Sequence, residues 1–187
     1  MNEFDAIAKA AERTLIAQFR KFPHVFLTEE DIRSHLFSEL SQHPRLKATV
    51  RTSSNSFSSH LHAEVRWYGQ SQTLRYRSDI VILDPSDLRT DDNGEFHLPS
   101  KGYGFNNFWV IIELKLRRTN GESDAQFLRK IRTELQRMRR VQEETRSNNL
   151  NTPTFHLLCF DKKQDIGMKV AALYQGGVVA DYVYARP

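Results

Sequence analysis

Glu113 and Lys115 interrupt an otherwise apolar run, Trp109-Val-Ile-Ile-Glu-Leu-Lys-Leu116. In an extended chain the side chains alternate, so these two share one face with roughly 6.5 to 7 Å of rise between them. Burying a carboxylate and an ammonium costs several kcal/mol per ion even after relaxation, so the apolar surroundings call for a compensating partner such as a metal ion. The plainer alternative is a strand end that protrudes into solvent, where the two simply pair. Asp79 lies in a second run, Arg75-Tyr-Arg-Ser-Asp-Ile-Val-Ile-Leu83, and comes from the preceding strand. Alone it means little. With Glu113 and Lys115 it completes the set that a hard cation such as Mg²⁺ needs for phosphodiester hydrolysis: carboxylate oxygens on the ion, the rest of the shell left to waters and a substrate phosphate. Such an ion acidifies a bound water and stabilises charge in the transition state, while a lysine orients that water or lowers its pKa.

These residues need a sheet to carry them, and the hydrophobic pattern supplies one. Residues 4–22 have helical composition and stop at Pro23; Thr28 with Asp31 three positions on caps a second helix bearing Ile32, Leu36 and Leu40 on one face. From His60 to Trp67 the residues alternate, with Leu61, Ala63, Val65 and Trp67 on one side and His60, His62, Glu64 and Arg66 on the other, a half-buried strand. The runs 75–83 and 108–116 are the next two strands, the second apolar enough to be central. Ser123 and Gln126 resemble a capping box, after which Phe127, Ile131, Leu135, Met138 and Val141 recur at helical spacing. Residues 155–160 form a strand, 166–174 a short helix and 178–184 a last strand. Three successive strands make a meander, and the strand after the long helix joins by a crossover, hence in parallel. The expected fold class is α/β, a mixed sheet flanked by helices, in one domain over residues 1–187 with 1–24 as an N-terminal helical appendage.

The 187 residues suffice for one core, and 39% hydrophobic with 27% charged residues is an ordinary globular balance. No run approaches the roughly 18 apolar residues of a membrane span. The first residues lack a basic segment followed by an apolar one, and the lone Cys159 has no intrachain partner, so a reducing, cytoplasmic setting without membrane association is expected. The net charge of +4 and pI near 9.3 favour a polyanionic partner. Between Arg129 and Arg140 stand six basic residues (Arg129, Lys130, Arg132, Arg137, Arg139, Arg140) and one acid, Glu134. Together with Arg75 and Arg77 beside Asp79, and Arg117 and Arg118 after Lys115, these are the candidate phosphate contacts. For the helix, a merely solvated basic face is the competing reading. The loop from Asp84 to Asn107 is long enough to reach a substrate.

An aspartate on a strand, 33 residues, then Glu-Leu-Lys on the next strand, with an acidic helix before and a long helix after, resembles the PD-(D/E)xK nuclease superfamily across roughly Thr28 to Phe160. Ser78 stands where the motif's name has proline. The resemblance implies a restriction-endonuclease-like fold, a Mg²⁺- or Mn²⁺-dependent deoxyribonuclease of endonuclease type, and DNA in preference to RNA. It places Asp79 and Glu113 on the metal, the Leu114 carbonyl in the same shell, and Lys115 on the attacking water. It also implies a glutamate from an early helix, for which Glu29, Glu30 and Glu39 compete; Glu29, on the Ile32/Leu36/Leu40 side, is preferred, against a simple carboxylate at a helix N-terminus. Glu64 joins the site if the polar face of its strand aligns with Asp79 and Glu113. Cutting both strands of a duplex takes a homodimer, a larger nuclease complex or two successive nicks.

Two rival readings belong to other classes. One is a nucleic-acid-binding module of the same fold that lacks turnover or works only within a complex. The other is a small-molecule or zinc enzyme on the His60/His62/Glu64 face, for which no further His/Cys cluster provides a closed site; polar strand residues facing solvent or DNA are the plainer reading of that face. The chain carries no Gly-rich phosphate loop and no serine in a nucleophile elbow.

Overall fold

The computed structural model describes residues 2–68, 75–87, 108–147, 151–174 and 177–185. Asn2 accepts the Phe4 amide and opens helix α1 (Glu3–Lys21), which has acids in its first turn and bases in its last. A single 3₁₀ turn at Pro23–Val25 separates it from α2 (Glu29–Ser41), and the Thr28/Asp31 capping box forms in both directions. A short helix, α3 (Pro44–Lys47), leads into an antiparallel hairpin, β1 (Thr49–Arg51) and β2 (Phe57–Ser59), that the hydrophobic pattern does not foreshadow.

The main sheet follows: β3 (Leu61–Tyr68), β4 (Arg75–Leu83), β5 (Phe108–Arg117), then helix α4 (Asp124–Ser147), β6 (Thr154–Asp161), the short α5 (Gly167–Ala171) and β7 (Val178–Tyr184). The strands lie in chain order, β3-β4-β5-β6-β7. The first three pair antiparallel, as a meander must, while β6 pairs parallel to β5 and β7 parallel to β6, because α4 and α5 carry the chain back across one face. The mixed sheet flanked by helices is therefore present. Among the described residues no helix is long and apolar enough to cross a membrane.

Helices α1, α2 and α3 cover one face of the sheet, burying Leu15, Phe19, Ile32 and Leu36 against Ile80, Ile112, Leu114 and Phe160. Helices α4 and α5 cover the other, with Phe127, Ile131, Met138 and Val170 against Val81, Ile111, Leu157 and Cys159. Burial pushes the Cys159 thiol up to about 12, so it is a core filler with little thiolate character. The N-terminal helix is no appendage: Phe4, Ala8, Ala11, Leu15 and Phe19 recur every three or four residues and belong to the first of these cores.

A buried polar clamp fixes α1 as well. His156 of β6 is fully buried, and its Nδ1 lies 2.6 Å from Glu12 Oε1 while its Nε2 lies 2.9 Å from Asp5 Oδ1. A carboxyl group at each ring nitrogen favours the doubly protonated imidazolium, which alone donates from both. Burial works against that charge, but Glu12 and Asp5 outweigh it and raise the His156 pKa above its ordinary 6.5. A raised folded-state pKa gives stability that is complete below the unfolded value and lost as pH rises through the folded one. Melting temperature should therefore fall above about pH 6.5 in the wild type, and His156→Gln should lower it at pH 6 while flattening that slope. Parallel pH profiles for the two proteins would rule the clamp out.

Candidate active site

The strands β4 and β5 are paired from Leu83 and Phe108 down to Ile80 and Ile112, where the registered pairing ends. Past that point β5 carries amides that a continuing β4 would have engaged, and buried amides need partners. Carboxylates take them. Leu114 N–H donates to Asp79 Oδ2 at 2.8 Å, and two residues on Leu116 N–H donates to Glu29 Oε2 at 3.1 Å. The sheet's own unfinished edge thus holds an aspartate from β4 and a glutamate from the first turn of α2 beside the Glu-Leu-Lys segment. Of the three competing helix glutamates, Glu29 reaches the site; Glu30 pairs with Arg33, and Glu39 stands about 15 Å along the helix.

Glu113 is only 3% exposed, and its Oε1 has no hydrogen bond. Burial, then the Asp79 and Glu134 charges, raise its pKa well above the ordinary carboxylate range against the pull of Lys115, and Tyr76 lies beside it. Lys115 Nζ donates to the Leu114 carbonyl at 2.8 Å and stands 3.7 Å from Glu29, 3.8 Å from Glu113 and 3.9 Å from Glu134. Burial alone would release its proton, yet the surrounding carboxylates reverse that and hold the pKa above that of a free lysine. The Glu29 pKa is raised as well, mainly by burial. Several acids around one lysine are more negative charge than the fold wants. Glu113→Gln should therefore raise the melting temperature of the metal-free protein at neutral pH, because a carboxyl with a raised folded pKa opposes folding once ionised. A purely structural Glu113–Lys115 ion pair predicts the opposite sign, and thermal denaturation in EDTA decides between them.

Glu64 and Asp79 are brought together through a residue that the sequence pattern does not single out. Arg33 of α2 bridges Glu64, Asp79 at 3.4 Å and Glu30, and Arg77 pairs with the other Glu64 oxygen. Glu64 itself has φ of 59°, a left-handed backbone that costs a non-glycine residue about 1–2 kcal/mol. The strict alternation expected for β3 fails there: Leu61 packs under α1 and α2, whereas Val65, four residues on, packs on the α4 face. Strain of this kind gathers at functional sites.

Glu134 is the acid missed in the sequence. It sits on the buried stripe of α4 between Ile131 and Met138, and a charge on an apolar stripe is the signal that marks it among the surrounding basic residues. With Glu29, Lys115, Arg129, Lys130, Thr133 and Arg137 it lines a pocket of about 390 Å³. The basic stripe thus divides: Arg129, Lys130 and Arg137 look into the pocket, while Arg132 is exposed outside it. Arg118 is exposed just past β5. Arg117, expected on nucleic acid, is instead buried and held by Asp161 and Asp124, which removes it from the contact set. The side chain of Arg75 and the loop residues 88–107 lie outside the described residues.

The two histidines of β3 do not converge on a metal: His60 Nδ1 meets the Leu83 carbonyl at 3.0 Å and His62 Nε2 the Ser59 carbonyl at 2.8 Å. Among the described residues no three His, Cys, Asp or Glu side chains stand close enough to form a metal cage of protein ligands alone. Comparison with family models, curated proteins and solved structures returns no match to this chain.

Proposed function

We propose that the chain is a metal-dependent nuclease that hydrolyses DNA phosphodiester bonds on a restriction-endonuclease-like sheet. The observation that carries this reading is the parting of β4 from β5, whose freed amides hold Asp79 and Glu29 next to the buried Glu113 and Lys115. The sheet order and the resemblance of the Asp79/Glu113/Lys115 set to the PD-(D/E)xK superfamily support it, and the preference for DNA comes from that resemblance.

An all-oxygen donor set of Asp79, Glu113 and the Leu114 carbonyl suits Mg²⁺ or Mn²⁺, which need only one or two protein carboxylates when waters and phosphates fill the remaining positions. The Glu113 oxygen left without a hydrogen bond is a donor of that kind. Catalytic zinc takes three protein ligands, and among the described residues no such group gathers on the His60/His62 face. When bound, the ion supplies an acidified water and charge neutralisation at the phosphate.

The protein's own groups do the rest. Lys115, whose pKa its carboxylate neighbours raise, acts as a fixed cation that orients the attacking water and stabilises developing negative charge. Glu29 and Glu134 hold its ammonium from two sides. Arg129, Lys130 and Arg137 bind backbone phosphates at the pocket rim, which makes binding fall steeply with salt.

The test is cleavage of linear, circular and single-stranded DNA with Mg²⁺ or Mn²⁺ by the wild type, Asp79→Ala and Lys115→Ala. Activity in the wild type that both variants lose supports the assignment, and cutting of the circle marks an endonuclease. DNA bound equally by three inactive proteins would support the binding-module reading instead.

A further inference from the structure

A second pocket, of about 590 Å³, opens at the same edge of the sheet and is lined by Arg20, Asp165, Gly167, Tyr182 and Tyr184. Its place follows from the strand register. Lys115 is level with Cys159 in β6, and Cys159 with Tyr182 in β7; Arg117, Asp161 and Tyr184 form the next such row but one. In parallel strands, residues in one row face the same way, so Tyr182 and Tyr184 project to the α4 and α5 side, as Lys115 does. Two strand spacings separate β5 from β7, about 10 Å. The pocket also lies beyond the carboxyl ends of parallel strands, where open α/β sheets take their ligands.

Its chemistry differs from that of the first pocket. A phosphate site gathers cations, but here one guanidinium and one carboxylate accompany two phenol rings. Ring faces for stacking, with a donor on one wall and an acceptor on the other, match a nucleobase with its carbonyls and exocyclic amines. The walls are also set in advance. The Tyr182 hydroxyl is fixed by Asp161 Oδ2 at 2.8 Å and by the Ile166 amide at 2.9 Å, which immobilises the ring. Asp165 Oδ1 accepts the Gly167 amide at 2.9 Å. A Cβ on Gly167 would come to 3.2 Å from Asp165 Oδ1 and 3.4 Å from the Tyr182 ring, so Gly167 packs between these two lining residues. From these observations we infer that the pocket receives an unpaired base of the DNA strand whose backbone lies in the Lys115 pocket. This rests on the nuclease reading and adds a preference for substrates with a single-stranded stretch beside the cut.

The experiment measures binding in EDTA, where nothing is cut, by fluorescence anisotropy of a labelled single-stranded oligonucleotide and a labelled blunt duplex. Free nucleoside monophosphates serve as competitors, and the wild type is compared with Tyr184→Ala, Tyr184→Phe and Arg20→Ala. Tyr184→Ala should weaken the single strand roughly tenfold, as loss of one stacking partner does, and leave the duplex unchanged. Tyr184→Phe should bind as the wild type, and the exposed Arg20→Ala should lose affinity in the same selective way. Unchanged single-strand binding in Tyr184→Ala and Arg20→Ala, or an equal loss for both DNAs, overturns the inference. Competition by a free mononucleotide at low concentration also overturns it, by assigning the pocket to a nucleotide ligand. Wild-type protein that binds neither DNA defeats this inference and the nuclease reading together, whereas DNA cleavage dependent on Lys115 but indifferent to Tyr184 defeats this one alone.

Discussion

Lys115→Ala should cut DNA about a hundred- to a thousandfold more slowly than the wild type, the loss that follows removal of one preorganised donor from a developing charge. Its affinity for uncut DNA should change little, because the phosphate contacts come from Arg129, Lys130 and Arg137 on α4. The effect therefore belongs in kcat more than in binding. A second readout separates chemistry from structure. Without the ammonium, Glu29, Glu113 and Glu134 lose the cation that stands within 4 Å of each. The metal-free variant should then melt lower than the wild type, and Mg²⁺ should restore more of its stability than it adds to the wild type, since an ion bound only by the folded state stabilises it. Lys115→Arg keeps the charge on a wider, planar group, so it should recover the stability and not the rate. If Lys115→Ala cleaves as fast as the wild type, the chemistry does not lie on β5.

What could be read in advance was what repeats along the chain. The bounds of β4 and β7 agree with the runs at 75–83 and 178–184, and the Thr28/Asp31 box does cap α2, because apolar period and capping chemistry are local properties. The meander and the crossover followed from the order of the strands and the long helix. Glu113 and Lys115 stood out because charge on an apolar strand is costly. What escaped was set by tertiary contact. At the left-handed Glu64 the adjacent Val65 packs on the α4 face and not on the Leu61 face, while every residue type in the alternating pattern stays intact. Arg33 is an ordinary exposed-face arginine on a helical wheel until α2 is laid against β3 and β4. The three-residue strands of the β1–β2 hairpin are too short to carry a period. The N-terminal helix looked detachable because Pro23 cuts it off, yet its apolar stripe and the His156 clamp tie it into the core.

Arg117→Ala should destabilise the protein by about 3–5 kcal/mol, the usual cost of removing one partner from a buried ion pair, and should leave DNA affinity unchanged. At the end of an apolar strand an arginine reads as a residue emerging into solvent. The fold does the reverse: the side chain is wholly buried and satisfied. Its Nε and Nη2 take both oxygens of Asp161, its Nη1 donates to Asp124 Oδ1 at 2.6 Å, and Nη2 also reaches the Gln164 carbonyl. Asp161 is fully buried too and bonds the Tyr182 hydroxyl, so a single guanidinium joins β5 to β6, to the start of α4 and, through Asp161, to β7. Alanine leaves the Asp161 carboxylate buried without its cation. Lysine keeps a charge but cannot form the two-pronged contact, and should fall between alanine and wild type. Urea denaturation gives the stability difference, and anisotropy on the same proteins gives the affinity. A small stability change together with a large loss of DNA binding would return Arg117 to the phosphate contacts and mean that the strand end opens in solution. The expected result makes it the joint that ties the carboxyl ends of β5, β6 and β7 to the start of α4.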